Sequence, residues 1–183
     1  MIPGPGWSSE ELALKQAYDR VERLVEERYG LPVVISDVLD PNTGDFDGVA
    51  IKLDYQNDLD VALFVLAHLF GHTAQWATDA RLRELGTRYG VERPPPELIG
   101  EIQRYERDAS RIALTLFHQA EVRELDQWLA DWAAADWGFL EHFYRTGERV
   151  DFRRFLSPGS APRLDPSPIP AFQPERWVSR FSF

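Results

Sequence analysis

Two histidines stand four residues apart in the run His68-Leu69-Phe70-Gly71-His72. On an α-helix that spacing places both imidazoles on one face, roughly 5–6 Å apart, close enough to grip a single metal ion. The chain has four histidines and no cysteine. Disulfides, thiolate metal sites and cysteine nucleophiles are therefore excluded, and a strong metal site must be built from imidazole and carboxylate. Gln75 and Asp79 continue the same face as a polar line through an apolar segment, and a buried polar line needs partners. Carboxylates recur at Glu101, Glu106 and Asp108, each a candidate third ligand. On a helical wheel all three fall at the edge of an apolar stripe, so the residues alone leave that choice open. The competing reading of the pair is two core histidines hydrogen-bonded to neighbouring acids. His118 reads as a cation at a helix C-terminus. His142, among Phe139, Phe143 and Tyr144, reads as a packing residue.

A helix must carry the pair, and the pattern around it predicts one. Ser8 and Glu11 have capping-box spacing and open a helix whose stripe runs through Leu14, Ala17, Val21 and Leu24 to Tyr29, where Gly30 stops it. Residues 31–39 (LPVVISDVL) are β-branched and predict a strand, followed by a turn from Asp40 to Asp45. Val49, Ile51 and Leu53 alternate with polar or small residues and predict a second strand, paired with the first as an antiparallel hairpin. Asn57-Asp58 opens a helix over residues 59–77. It is apolar almost all round between Val61 and Ala67, the mark of a buried central helix. A short helix is expected over 79–89. Pro94-Pro95-Pro96 breaks the chain before a helix from Glu97, striped by Leu98, Ile102, Tyr105, Ala109, Ile112 and Leu116. A last helix over about 121–144 carries Trp128, Trp132 and Trp137 as a packing face.

With 44% hydrophobic and 13% aromatic residues, the 183-residue chain can bury a real core, which excludes wholesale disorder. The expected organisation is one domain over 1–156 and a tail over 157–183. Six of the thirteen prolines fall between Ser157 and Pro174, which rules out regular helix or central strand there. Phe172, Trp177, Phe181 and Phe183 make the tail too aromatic for a solvated linker, so it is expected to pack on the domain or on a partner. Twenty basic against thirty acidic side chains leave a net charge of −10, which repels phosphate and argues against nucleic acid. The short basic group Arg145, Arg149, Arg153 and Arg154 reads as a solvated face or tail-docking site. The N-terminus lacks the pattern of a signal peptide, and the longest apolar run is far short of a membrane span. A cytoplasmic protein is the expectation.

The order of helix, β-hairpin, buried helix with HxxxH and second helix with an acid resembles a minimal zincin. More narrowly it looks like the ImmA/IrrE group of metallopeptidases. In that group HExxH supplies two histidine ligands and a general-base glutamate, and the third ligand opens a segment like EANxFAxxLL. The matching segment here runs Asp108-Ala109-Ser110-Arg111-Ile112-Ala113-Leu114-Thr115-Leu116-Phe117. The resemblance covers about residues 10 to 118 and rests on the order and spacing of these motifs. It implies an α+β minimal-zincin fold and zinc, or another divalent first-row metal, on His68, His72 and Asp108. Glu106 and then Glu101 follow as the alternative ligand or base. It also implies a polypeptide substrate or protein partner, by family analogy a transcriptional repressor. The departure is Leu69, which stands where the family keeps its general base and can neither take nor give a proton. The expectation is therefore a metal-binding, peptidase-like protein with weak or absent proteolysis, acting through a protein partner. One alternative is an active metallohydrolase whose base comes from Glu101, Glu106 or His142. Another is a metal-free interaction module.

Overall fold

The first helix, α1 (Ser9–Tyr29), begins at the capping box. In the computed structural model, which describes residues 8–39, 42–89 and 92–177, Glu11 N–H donates to Ser8 Oγ at 3.1 Å and Ser8 N–H donates to the Glu11 carboxylate at 2.7 Å. These bonds satisfy backbone donors that the helix start would otherwise leave orphaned. Ala17, Val21 and Val25 then form its fully buried stripe.

Three short strands follow: β1 (Val33–Ser36), β2 (Gly44–Phe46) and β3 (Ile51–Asp54), in the order β1-β3-β2. The central strand, β3, pairs antiparallel with β2, Gly44 opposite Leu53 and Phe46 opposite Ile51. It pairs parallel with β1, Val33 opposite Ile51 and Ser36 opposite Asp54. This corrects the expected antiparallel hairpin of two strands: the hairpin partner of β3 is β2, and β1 joins the far side in parallel. The β2 strand is three residues long and lies in a run of turn-forming residue types, too short to display an alternation. Asp47 makes the hairpin turn, its Oδ1 accepting from the N–H groups of Val49 and Ala50 at 3.1 and 2.9 Å, an Asx turn.

The rest is helical: α2 (Leu59–Thr78), α3 (Ala80–Tyr89), α4 (Ile99–Gln119) and α5 (Asp126–Thr146). The whole is a mostly helical α+β fold with a small mixed sheet. As its apolar sequence requires, α2 is buried around nearly its whole circumference and packs against α1, α3, α4 and the sheet. Its closest neighbour is α4, and Gly71 is the reason. A Cβ at that position would collide with the backbone carbonyl of Ala109. Among the described residues no helix is long and apolar enough to cross a membrane.

After α5 and a single 3-10 turn (Phe152–Phe155), residues 157–177 have no regular structure and run as a strap over the domain. Asp131 on α5 accepts from Gly159 N–H at 2.6 Å and Ala161 N–H at 3.0 Å. On α4, Arg111 Nε donates to the Asp165 carbonyl at 2.9 Å and Thr115 Oγ1 to the Ser167 carbonyl at 2.6 Å. Phe172 then stacks on Tyr29 of α1 and tilts against Phe70 of α2. Trp177 meets Phe46 and Trp76, and its backbone N–H donates to the Asp47 carbonyl at 2.9 Å. Phe181 and Phe183 lie outside the described residues.

Candidate metal centre

The helical spacing of α2 brings His68 and His72 to one face, and α4 lies against that face with Glu106 opposite them. His72 Nε2 is 2.9 Å from His68 Nε2 and 3.0 Å from Glu106 Oε2, which is itself 3.2 Å from His68 Nε2. The three atoms make a nearly equilateral triangle. A tetrahedral ion with ligand bonds of about 2.0–2.1 Å would hold its donors about 3.3 Å apart. The observed sides are slightly tighter than that, so two imidazoles and one carboxylate fit a divalent ion in both chemistry and spacing. This buried group could hold a metal ion.

A hydrogen-bond chain behind the triangle fixes which nitrogen of His72 points inward. The Gln75 amide donates through Nε2 to the Tyr105 carbonyl at 3.0 Å. A carbonyl can only accept, so the amide oxygen is turned the other way, 3.0 Å from His72 Nδ1. Nδ1 must therefore carry the hydrogen. A neutral His72 then aims the lone pair of Nε2 at a carboxylate oxygen, an arrangement that only a proton or a cation can hold together. Orientation of a ligating histidine through its other nitrogen is what a metal site requires. The ring is clamped as well, stacked between Tyr105 at 4.5 Å and Phe46 at 6.2 Å between centroids.

Burial pushes the His72 imidazole below its ordinary value, against the pull of Glu106, so it favours the neutral form a metal needs. Burial alone would raise Glu106, but His72 and His68 outweigh it and hold the carboxyl well below the usual carboxylate range. A third acid faces the centre from α5. Asp136 Oδ2 is 3.9 Å from His68 Nε2. Burial, with the Glu106 charge adding and His68 opposing, pushes its carboxyl up to about 6.

All four groups line one cavity of about 430 Å³. Its other walls include Thr43 just before β2, Phe46 on β2, Leu69 on α2, Leu85 on α3, and Phe139, Leu140 and Phe143 on α5. Gly44 is needed where β2 passes α2, since a Cβ there would lie 2.5 Å from Val65 Cγ1 and 2.9 Å from Leu69 Cδ1. That approach sets the sheet directly beside the histidines.

Of the candidate ligands, the structure brings together His68, His72 and Glu106. It corrects the placing of Asp108, whose side chain is 52% exposed and pairs with Arg111 at 3.1 Å on the solvent face of α4. Glu101 faces α3 and accepts from Arg81 at 2.7 Å. His118 is held by Asp126 at 2.9 Å, and the His142 ring lies 6.0 Å from that of Phe155. Asp136 was not among the expected groups. It is one acid inside Ala133-Ala134-Ala135-Asp136-Trp137, and no local motif marks it. Comparisons of the chain with protein-family models, with curated proteins and with solved structures find no match.

Proposed function

We propose that this protein binds zinc through His68, His72 and Glu106 and is a metallopeptidase-like protein of the minimal-zincin type, working on or through a polypeptide partner. The observation that carries the reading is the fixed tautomer of His72, which turns a lone pair toward a buried carboxylate and a second imidazole. Zinc, when bound, supplies Lewis-acid chemistry, polarising a carbonyl and acidifying water. The chain's own residues do the rest. Gln75 orients His72, Phe46 and Tyr105 shield its ring from water, and Glu106 brings the negative charge that offsets a cation.

Leu69 is buried and leaves no carboxylate beside His68 on α2. On that ground proteolysis by the usual zincin route is weak or absent. The second reading, a hydrolase whose base comes from another element, is favoured by one observation: Asp136 reaches the same cavity from α5 and can hold a proton at Oδ2.

The experiment is elemental analysis of the purified, dialysed protein beside three variants. Wild type and Asp108→Ala should carry about one zinc per chain, while His72→Ala and Glu106→Ala carry little. Equal trace metal in all four would refute the site. Hydrolysis of a loosely folded protein, with and without chelator, then separates the two readings.

A further inference from the structure

We infer that the ligand of this centre bears a bulky apolar group, the size of an aromatic or branched aliphatic side chain, beside the group that meets the metal. The inference rests on the metal reading above. The cavity that begins at His68, His72 and Glu106 continues between α3, α4 and α5 over Leu85, Ile102, Phe139, Leu140, Phe143 and Val150. Its polar groups are divided between two ends. Asp136 stands with the histidines, while Arg149 and Asp151 sit on the exposed loop after α5, the Arg149 guanidinium 5.0 Å from the Phe143 ring centroid. Between these ends the side chains are mostly carbon, and two tyrosine hydroxyls there are engaged elsewhere: Tyr105 accepts from Trp76 Nε1 at 2.7 Å and Tyr144 donates to the Tyr89 carbonyl at 3.3 Å.

A polar substituent placed there would give up water and find few partners, whereas an apolar one would gain by leaving water. At about 430 Å³, the space is within the range of small-ligand pockets and far larger than a methyl group needs. Thr43, Arg149 and Asp151 on its lining are exposed, so a longer molecule can leave the cavity past them. Four of the wall residues, Phe139, Leu140, Phe143 and Val150, lie beyond residue 118. The selectivity is thus built by α5 and the loop after it, elements outside the stretch that resembles known metallopeptidases.

Two hydroxamic acids serve as probes, alike in the metal-binding head and different in the body: acetohydroxamic acid, with a methyl, and benzohydroxamic acid, with a phenyl. Calorimetric titration of the zinc-loaded protein should find the phenyl compound about tenfold or more tighter. Leu140→Trp, which narrows the cavity at its α5 wall, should reduce that preference to about twofold with zinc content retained. Should the tryptophan variant fail to fold, Leu140→Asn, which puts an amide in the wall, should lower the preference in the same way. Zinc-loaded wild type with equal affinity for the two probes overturns the inference and leaves the metal reading standing. So does a folded Leu140 variant with its preference intact. A protein that takes no zinc and binds neither probe overturns both.

Discussion

Asp136 and Glu106 are two carboxyls at one site, held at opposite ends of the acid range by what surrounds them. Glu106 has two imidazoles within hydrogen-bond distance, whereas Asp136 has one at 3.9 Å. The consequence for stability has a definite sign. The folded value of Asp136, about 6, lies above the roughly 3.9 of an unfolded aspartate, so the folded chain holds that proton more tightly. The stability this gives is fully present below about pH 4 and is lost as pH rises through about 6. In protein stripped of metal, Asp136→Asn should therefore stabilise at pH 8, by at most about 3 kcal/mol for a displacement of about two units. It should change little at pH 4. Urea unfolding in chelator at the two pH values measures it, and an equal effect at both would show that the acid titrates normally. The histidine pair was legible in the sequence, because four-residue spacing on an apolar helix has one geometric meaning. The third group of the triangle was not. Glu106 lies four residues after Ile102 and four before Ser110, both buried, whereas Asp108 lies four after exposed Arg104. That difference in burial emerges only from the fold: on the residues alone the three acids shared the edge of one stripe, and the match to a family motif pointed two residues past Glu106. Asp136 could not be read, since its place depends on how α5 packs against α2 and α4.

At the scale of elements, the site depends on how close two helices lie. His68 and His72 come from α2 and Glu106 from α4, and the separation of the axes is set where Gly71 faces the Ala109 backbone. A flexible side chain can move aside for an added methyl, but a helix carbonyl cannot. Gly71→Ala should force α2 and α4 apart, costing about 1–3 kcal/mol or more, and should also carry Glu106 away from the histidines. The expected result is a lower melting temperature together with weaker zinc retention in competition with a chelator. A variant that loses stability and keeps its zinc affinity would show that the ligand spacing does not depend on this contact. Most helices were readable because each declares itself through a stripe of many residues, and so were the strands β1 and β3, but β2 and the pairing of the sheet were not. Parallel pairing of β1 with β3 is a long-range choice that no local pattern encodes, and the Gly44–Phe46 strand is defined by its neighbours, β3 on one side and α2 on the other.

Across the whole molecule the strap holds the layers together. Between Gly159 and Trp177 it bonds in turn to α5 and α4 and packs on α1, α2 and the hairpin turn. Its own backbone forms no regular structure, and its prolines reduce the entropy lost when it is fixed. Ending the chain before Ile169 removes Phe172 and Trp177 and uncovers Phe46, Phe70 and Trp76. With each aromatic half-buried, the loss should be about 2–4 kcal/mol, read as a lower urea midpoint and new binding of a hydrophobic dye. An unchanged midpoint would mean that the strap rests on the domain without stabilising it. The metal triangle has a reach of a similar kind. His72 and Glu106 are 34 positions apart, so a bound ion would close the stretch of chain through α3 as a reversible cross-link. An ion at a thousand times its dissociation constant adds about 4 kcal/mol to the folded state, a large share of what a domain of this size has to lose. Molecules without the ion would spend correspondingly more time unfolded and within reach of cellular proteases. The amount of this protein in a cell would then follow the supply of metal, with no change in the rate of its synthesis.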